Sequence, residues 1–385
     1  MSAGSSGADS TGLPEASFVT ALAGLPKMGP VRMAAVLAAW PPAEAWARVR
    51  GGGLHRVAAV AERCRGLGEE LDHAWSRSAR ATDVDELWRR HLQQGVGVLV
   101  PGDPAWPEAL RDDPEPPAVL FVRGDPSVLA RPTAALVGTR RCTPTGRAVA
   151  GELGRDLATA GVCVVSGLAL GIDGAVHRGA LAAAGAPPVA VVGTGLHSTY
   201  PSAHADLAAQ VAEVGAVVSE YPLGTPPAAW RFPARNRIVA ALARVVVVVE
   251  SGARGGSLHT VDAALERDRT VLAVPGSVRN PAAAGSNGLL LAGCGPALDA
   301  TDVLVALGLD PPGPPTRPLA RAVGVTPDQS LVLDALGWDS STLEQVADRL
   351  GESLGPVALH LVELERLGAV ERRGGWYSRS AGPAR

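Results

Sequence analysis

The sequence predicts an α/β protein: a Rossmann-like doubly wound parallel sheet, with a small helical N-terminal domain and a winged-helix-like C-terminal domain. Three observations carry this. Short apolar runs at 134–138, 162–166, 189–193, 216–219, 245–250 and 270–274 alternate with helical stretches. The runs are almost continuous Val, Ala and Leu, the pattern of strands buried on both faces of a parallel sheet. Their ends carry Gly, Ser, Thr and Arg, on the side where doubly wound sheets bind ligands.

In chain order, residues 1–14 are a Gly/Ser-rich lead expected to be disordered. Residues 15–92 have a helical pattern broken at Pro41-Pro42 and Gly51-Gly52-Gly53. Within it, Leu25 to Arg32 resembles the hairpin of a helix-hairpin-helix, whose turn amides can hold a phosphate. The segment's acidic balance favours instead a helix pair used for packing or dimer contacts. Residues 93–308 form the sheet domain with its entry segment, where the prolines from Pro101 to Pro117 and the run Val119 to Val122 predict an extended segment on a sheet edge. Pro311 to Pro315 centre a stiff linker, 309–325. Over 326–385, helices are expected around Pro327–Leu336, Thr342–Leu350 and Pro356–Leu367, then a hairpin, Ala369–Tyr377, turning at Gly374-Gly375. The would-be recognition helix opens Ser353-Leu354-Gly355-Pro356-Val357-Ala358 without Arg or Lys, which favours protein contacts over DNA reading.

Composition sets bounds. With 46% apolar residues but only 4% aromatic, Ala, Val and Leu must supply the cores. The net charge of −3 predicts no general affinity for nucleic acid, although 131–308 alone carries more basic than acidic side chains. Lys27 is the single lysine, a bias that GC-rich coding explains more simply than selection for phosphate-binding arginine forks. Cys64, Cys142, Cys163 and Cys294 lack metal or disulfide spacing and fit reduced cytosolic thiols. No apolar run is long enough for a membrane span, and a cytoplasmic protein is expected.

The central motifs resemble, in order, the DNA-processing protein A family (DprA, also called Smf). They are Gly138-Thr139-Arg140, SGLALGID from Ser166, GTGLHSTYP from Gly193, SEYP from Ser219, FPARNRIVAAL from Phe232, VVVVESGARGGSLHT from Val246, and the stretch Val271 to Cys294. The resemblance implies single-stranded DNA binding, loading of the RecA recombinase during natural transformation, and homodimerisation. This chain departs from the family at Trp106, usually Tyr, at His197, usually Asp, and at Ser202, where many members have Lys. The last removes a phosphate contact unless Arg231 substitutes.

The residues themselves give candidate contacts. Strand-end loops offer Gly138, Thr139 and Arg140; Ser166 and Gly167; Gly193 and Gly195; and Ser251, Gly252, Gly255, Gly256 and Ser257. Their backbone amides at helix N-termini can cradle successive phosphates of an extended polyanion. Trp230 to Arg237 interleaves aromatics with Arg231, Arg235, Asn236 and Arg237, as single-strand sites do, and Tyr200 can stack a base.

Competing chemistry is weaker. G-x-G-x-x-G is missing after the first strand, against a dinucleotide site. A lysine-decarboxylase-like phosphoribohydrolase carries G-G-x-G-T-x-x-E; here Leu258 replaces the third Gly, His259 the Thr and Asp262 the catalytic Glu. Asp173 is expected to cap its helix rather than share a metal with His177. Glu220 and Glu250 are expected to order arginines rather than form a catalytic pair. No enzyme activity, cofactor or metal is expected; the expected partners are single-stranded DNA, RecA and a second copy of the chain.

Overall fold

The computed structural model describes residues 12–64, 66–310, 325–337 and 340–379. Most of the expected lead and linker therefore lies outside the described residues. The chain divides into two compact units between Asp310 and Pro311.

The first unit opens with helices α1 (Glu15–Ala23), α2 (Pro30–Ala39), α3 (Pro42–Gly51), α4 (Ala58–Ala61), α5 (Glu69–Ala81) and α6 (Val84–Gln93). Proline sits in the first turn of α2 and α3, where a missing N–H costs nothing. The α1–α2 hairpin is pinned by the Trp75 indole, which donates to the Pro26 carbonyl at 2.8 Å. Met28, Gly29 and Pro30 line a small cavity with Val119, Glu220 and Tyr221, so this end of α2 faces the sheet and a carboxylate. Phe18, Leu22, Trp46 and Trp75 belong to one apolar cluster with Val96, Val119 and Phe121. The helices and the sheet thus share a core within one unit.

The sheet contains β1 (Gly97–Leu99), β2 (Leu120–Gly124), β3 (Thr133–Gly138), β4 (Cys163–Ser166), β5 (Val189–Val192), β6 (Ala216–Ser219), β7 (Val245–Glu250), β8 (Thr270–Ala273) and β9 (Gly295–Pro296). Their spatial order is β1-β2-β6-β5-β4-β3-β7-β8-β9. Strands β3 to β9 pair in parallel, as expected of the Val-rich runs. The entry segment adds β1 and β2 as an antiparallel edge on β6. Helices α7 (Pro144–Thr159), α8 (Ile172–Leu181) and α9 (Ala205–Val214) cover one face; α10 (Arg231–Leu242) and α11 (Leu258–Leu265) cover the other. Strand residues divide accordingly: Leu136 and Val247 pack on α7 and α8, and Val137 and Val248 on α10. Two helices, α12 (Ala284–Leu291) and α13 (Ala300–Ala306), complete the unit.

Buried arginines bind the entry segment to α10 and α11. Arg267 makes a two-pronged pair with Asp113 at 2.7 and 3.0 Å. Arg237 donates to Glu220 Oε1 and to the Glu115 carbonyl, both at 2.6 Å. His91 ties α6 to the loop after β6: Nδ1 lies 2.8 Å from the Leu87 carbonyl, and Nε2 accepts the Leu223 N–H at 3.2 Å.

The second unit runs α14 (Pro327–Leu336), β10 (Ser341–Thr342), α15 (Leu343–Leu350), α16 (Leu354–Arg366), β11 (Val370–Arg373) and β12 (Trp376–Arg379), with strand order β10-β12-β11. Capping boxes, Thr326 with Gln329 and Thr342 with Gln345, start α14 and α15. Leu336, Val346, Leu361, Leu364 and Tyr377 form its core. Among the described residues, no helix is long and apolar enough to cross a membrane.

Burial lowers the pKa of His91 and holds His177 at about 3. As pH falls below the unfolded value of ~6.5, the unfolded chain takes up these protons first, so stability falls with pH by up to ~1.4 kcal/mol per unit per histidine. Buried Asp173 and Glu220, with raised pKa values, act in the opposite sense. The check is urea unfolding between pH 7 and pH 5, intact chain against His177→Leu. The variant should show the flatter loss; an equally steep one would contradict the assignment.

Candidate nucleic-acid interface

Strand β3 has β4 on one side and β7 on the other, so strand order reverses there. Loops leaving such neighbours diverge to opposite faces and leave a crevice at the carboxyl ends. A groove of about 730 Å³ occupies this place, lined by residues from the ends of β3, β4 and β7 and from the start of α10 and α11.

Its floor is built around Arg235. A Cβ on Gly167 would overlap the Arg235 guanidinium, so only glycine lets the chain pass over it. Nη1 donates to the Val191 carbonyl at 2.7 Å, and no carboxylate forms an ion pair with Arg235 among the described residues. Burial pulls its pKa down to about 10. Asp173 is pushed up by burial, against the opposing effect of Arg235. Asp173 is not the helix cap: Gly171, at φ +80°, occupies that position, and the Asp173 carboxylate accepts the Ala169 N–H at 3.3 Å.

One wall carries Gly138, Thr139, Arg140 and Arg141. Arg140 is exposed, with its guanidinium 5.2 Å from the Phe232 ring centre. Tyr200, 45% exposed, lies 5.3 Å from the same ring. Arg140, Phe232 and Tyr200 therefore form a cation–aromatic–aromatic row along the groove. The opposite wall is Gly255, Gly256 and Ser257, held by Asn236, which donates to the Gly256 carbonyl at 3.3 Å. The Ser257 hydroxyl is turned inward to Ser251 at 2.9 Å. Among the described residues, the amides of Gly256 and Ser257 donate to no backbone carbonyl, leaving two N–H groups at the start of α11.

Of the expected contact residues, Gly138, Thr139, Arg140, Gly167, Tyr200, Arg235, Asn236, Gly255, Gly256 and Ser257 meet in this groove. The others do not line it. Ser166 is buried and donates to the Leu136 carbonyl at 2.7 Å. Gly193 packs against the backbone of Arg231, and Gly195 against the Pro222 carbonyl. Ser251 is buried beneath the wall, and Gly252 sits against Pro281. Arg237 is committed to Glu220 and Glu115. Arg231 donates to the Pro226 carbonyl, lies 5.0 Å from the Tyr221 and Trp230 ring centres, and does not line the groove. Phe232, which the sequence places between Arg231 and Arg235, also lines the groove.

The carboxylates are engaged separately. Glu220 serves Arg237, whereas Glu250 accepts the Thr143 N–H at 2.7 Å and its hydroxyl at 2.8 Å, fixing the start of α7. Asp262 points from an exposed face of α11, 3.9 Å from His259, and does not line the groove.

Comparison with known proteins converges on one family. The model of the DNA recombination-mediator protein A family matches residues 97–308. A putative DNA processing protein DprA of Mycobacterium tuberculosis is 36% identical over 364 residues, 89% of each chain. The structure of DNA processing protein A from Streptococcus pneumoniae superposes with a TM-score of 0.62 at 29% identity, covering 76% of this chain and 98% of that one. That of the Helicobacter pylori protein, which describes its single-stranded DNA binding mode, gives 0.50 at 28% identity over 55% and 95%. The strand-end groove and these matches lead to one conclusion: the chain belongs to the DNA recombination-mediator protein A family, and its role is in DNA processing.

Proposed function

We propose that the groove binds single-stranded DNA without sequence preference and without breaking bonds. The observation that carries this is the row Arg140–Phe232–Tyr200 facing two open amides at the start of α11 across a groove with a buried arginine beneath it. Arginine and amides suit phosphates, aromatic faces suit any unpaired base, and a duplex hides those faces. The Helicobacter pylori relative, described with single-stranded DNA, supports the same reading. Binding rather than phosphoribohydrolysis fits the outward-facing, exposed Asp262, which is not itself a lining residue of the groove although the neighbouring His259 is. Competition for a labelled strand tests it. Poly-dT and mixed-sequence strands should compete within about tenfold of each other and duplex far more weakly. Arg140→Ala should cost ~1.5–3 kcal/mol, the scale of a charge-assisted hydrogen bond. Duplex that competes equally well, or an unchanged Arg140→Ala affinity, would overturn the proposal.

We read the second unit as a winged-helix-like module for protein contacts. Helix α16 leaves Leu354, Leu359 and Val362 exposed, and its first turns carry no Arg or Lys. Deleting 317–385 should leave the salt dependence of strand binding unchanged, because its slope counts phosphates neutralised. A shallower slope would place this unit on DNA.

From the family resemblance we infer further a cytoplasmic homodimer that loads RecA onto incoming strands in natural transformation. Leu291 (91% exposed), Leu298 and Val305 leave apolar surface open on α12, after β9 and on α13, fit for a second copy. Solution mass should report a dimer that Leu291→Asp converts to monomer, and the intact chain should speed RecA assembly on strands precoated with single-strand-binding protein. A monomeric intact chain, or no effect on assembly, would remove the corresponding part of the reading.

A further inference from the structure

The loop after β8, Gly276 to Asn280, belongs to the strand-end set but does not line the groove. We propose that this loop, with Arg254, is a second contact segment for single-stranded DNA, carrying the strand from the groove across the ends of β7 and β8. The inference rests on the single-strand reading above.

Position comes from the sheet. β7 and β8 pair in parallel, Val248 opposite Ala273, so the loops leaving them start about 4.8 Å apart. They stay in contact beyond the sheet. The Gly285 N–H donates to the Ser251 carbonyl at 2.6 Å, and Asn280 Nδ2 lies 3.4 Å from Glu250 Oε1. Arg254 precedes the groove-lining Gly255 directly, so a strand leaving the groove on this side meets Arg254 and then Arg279.

The loop is held in advance of any ligand. Asn287 exchanges two hydrogen bonds with the Gly276 backbone, both at 3.0 Å. The Ser277 carbonyl accepts the Asn280 N–H at 2.9 Å, the Ser277 hydroxyl accepts the Arg279 N–H at 3.3 Å, and Asn280 Oδ1 accepts the Ala282 N–H at 3.0 Å. A backbone fixed this way loses little entropy on binding. Yet its tip turns outward: Val278 is 92% exposed and Arg279 is exposed beside it. Neither Arg254 nor Arg279 has an ion-pair partner among the described residues. Unpaired guanidinium groups on a preset backbone suit phosphate, and the apolar Val278 gives an unstacked base a surface to shed water against.

The experiment measures binding of the full chain to oligothymidylates of ~6 and ~20 nucleotides over a range of salt. Arg254→Ala and Arg279→Ala should each make the salt slope for the longer strand shallower by about 0.7, and weaken its binding at least about threefold at moderate salt. Affinity for the short strand should stay within about twofold, because the groove alone holds it. Both side chains are exposed, so unfolding curves should match the intact chain. An unchanged slope on the longer strand, while the intact chain binds it, overturns the extended path and leaves the groove reading standing. Equal losses on both lengths also overturn it, since the arginines would then act on the groove. An intact chain that binds neither strand overturns the single-strand reading and this inference with it.

Discussion

A buried guanidinium without its own carboxylate governs the site. Arg235 is 5% exposed, its Nη1 satisfied by a carbonyl and its charge eased only from a distance by Asp173. Removing a cation from water this far is costly, and the lowered pKa records the cost. The surrounding chain fits that charge: Gly167 clears space above it, Gly171 turns the backbone into α8, and Asp173 faces inward instead of capping. A group desolvated but not neutralised leaves a positive field in the groove, which an incoming anion completes.

Helix α10 sends its three arginines to three tasks. At about 100° per residue, Arg237 lies on the side of the helix opposite Arg235, whereas Arg231 and Arg235, four residues apart, share a face and are separated along it by one turn. Arg231 stacks on Trp230 and Tyr221, Arg235 enters the floor, and Arg237 reaches Glu220 and the Glu115 carbonyl. The Arg237 bonds, with the Arg267–Asp113 pair in the turn after α11, lock the entry segment onto the two helices whose starts form the groove. The Pro-rich segment before the parallel strands is thus part of what holds the site in shape.

How much of this was legible follows from what each signal measures. The Val runs gave the parallel strands because burial on both faces leaves no room for polar alternation. The β1–β2 edge was anticipated only as an extended segment, since pairing direction is decided by tertiary contact. Gly138 and Gly193 look alike in sequence, each ending an apolar run, but only β3 lies at the reversal of strand order. Gly193 and Gly195 are covered by the loop Pro222–Thr225 and the start of α10, a long-range contact that local pattern does not encode. Likewise, the run of arginines was visible, whereas which of them would find Glu220 depended on the angle of one helix to one strand end.

The charge bookkeeping of the chain resolves at this scale. A net charge of −3 argues against polyanion binding only if charge is spread evenly, and screening confines each charge to about 10 Å. Near the groove, Glu250 is buried with its oxygens taken up by Thr143 and Asn280, and Glu220 is neutralised by Arg237. Arg140 and Arg141 stand open on the wall, with Arg235 below. Glu220 and Glu250 are matched internally, burial raises the pKa of Asp173, and Arg140 and Arg141 have no ion-pair partner among the described residues, so the charge balance at the groove leans positive although the whole molecule is acidic. The position of the acidic groups, more than the number of basic ones, makes the groove suited to an anion.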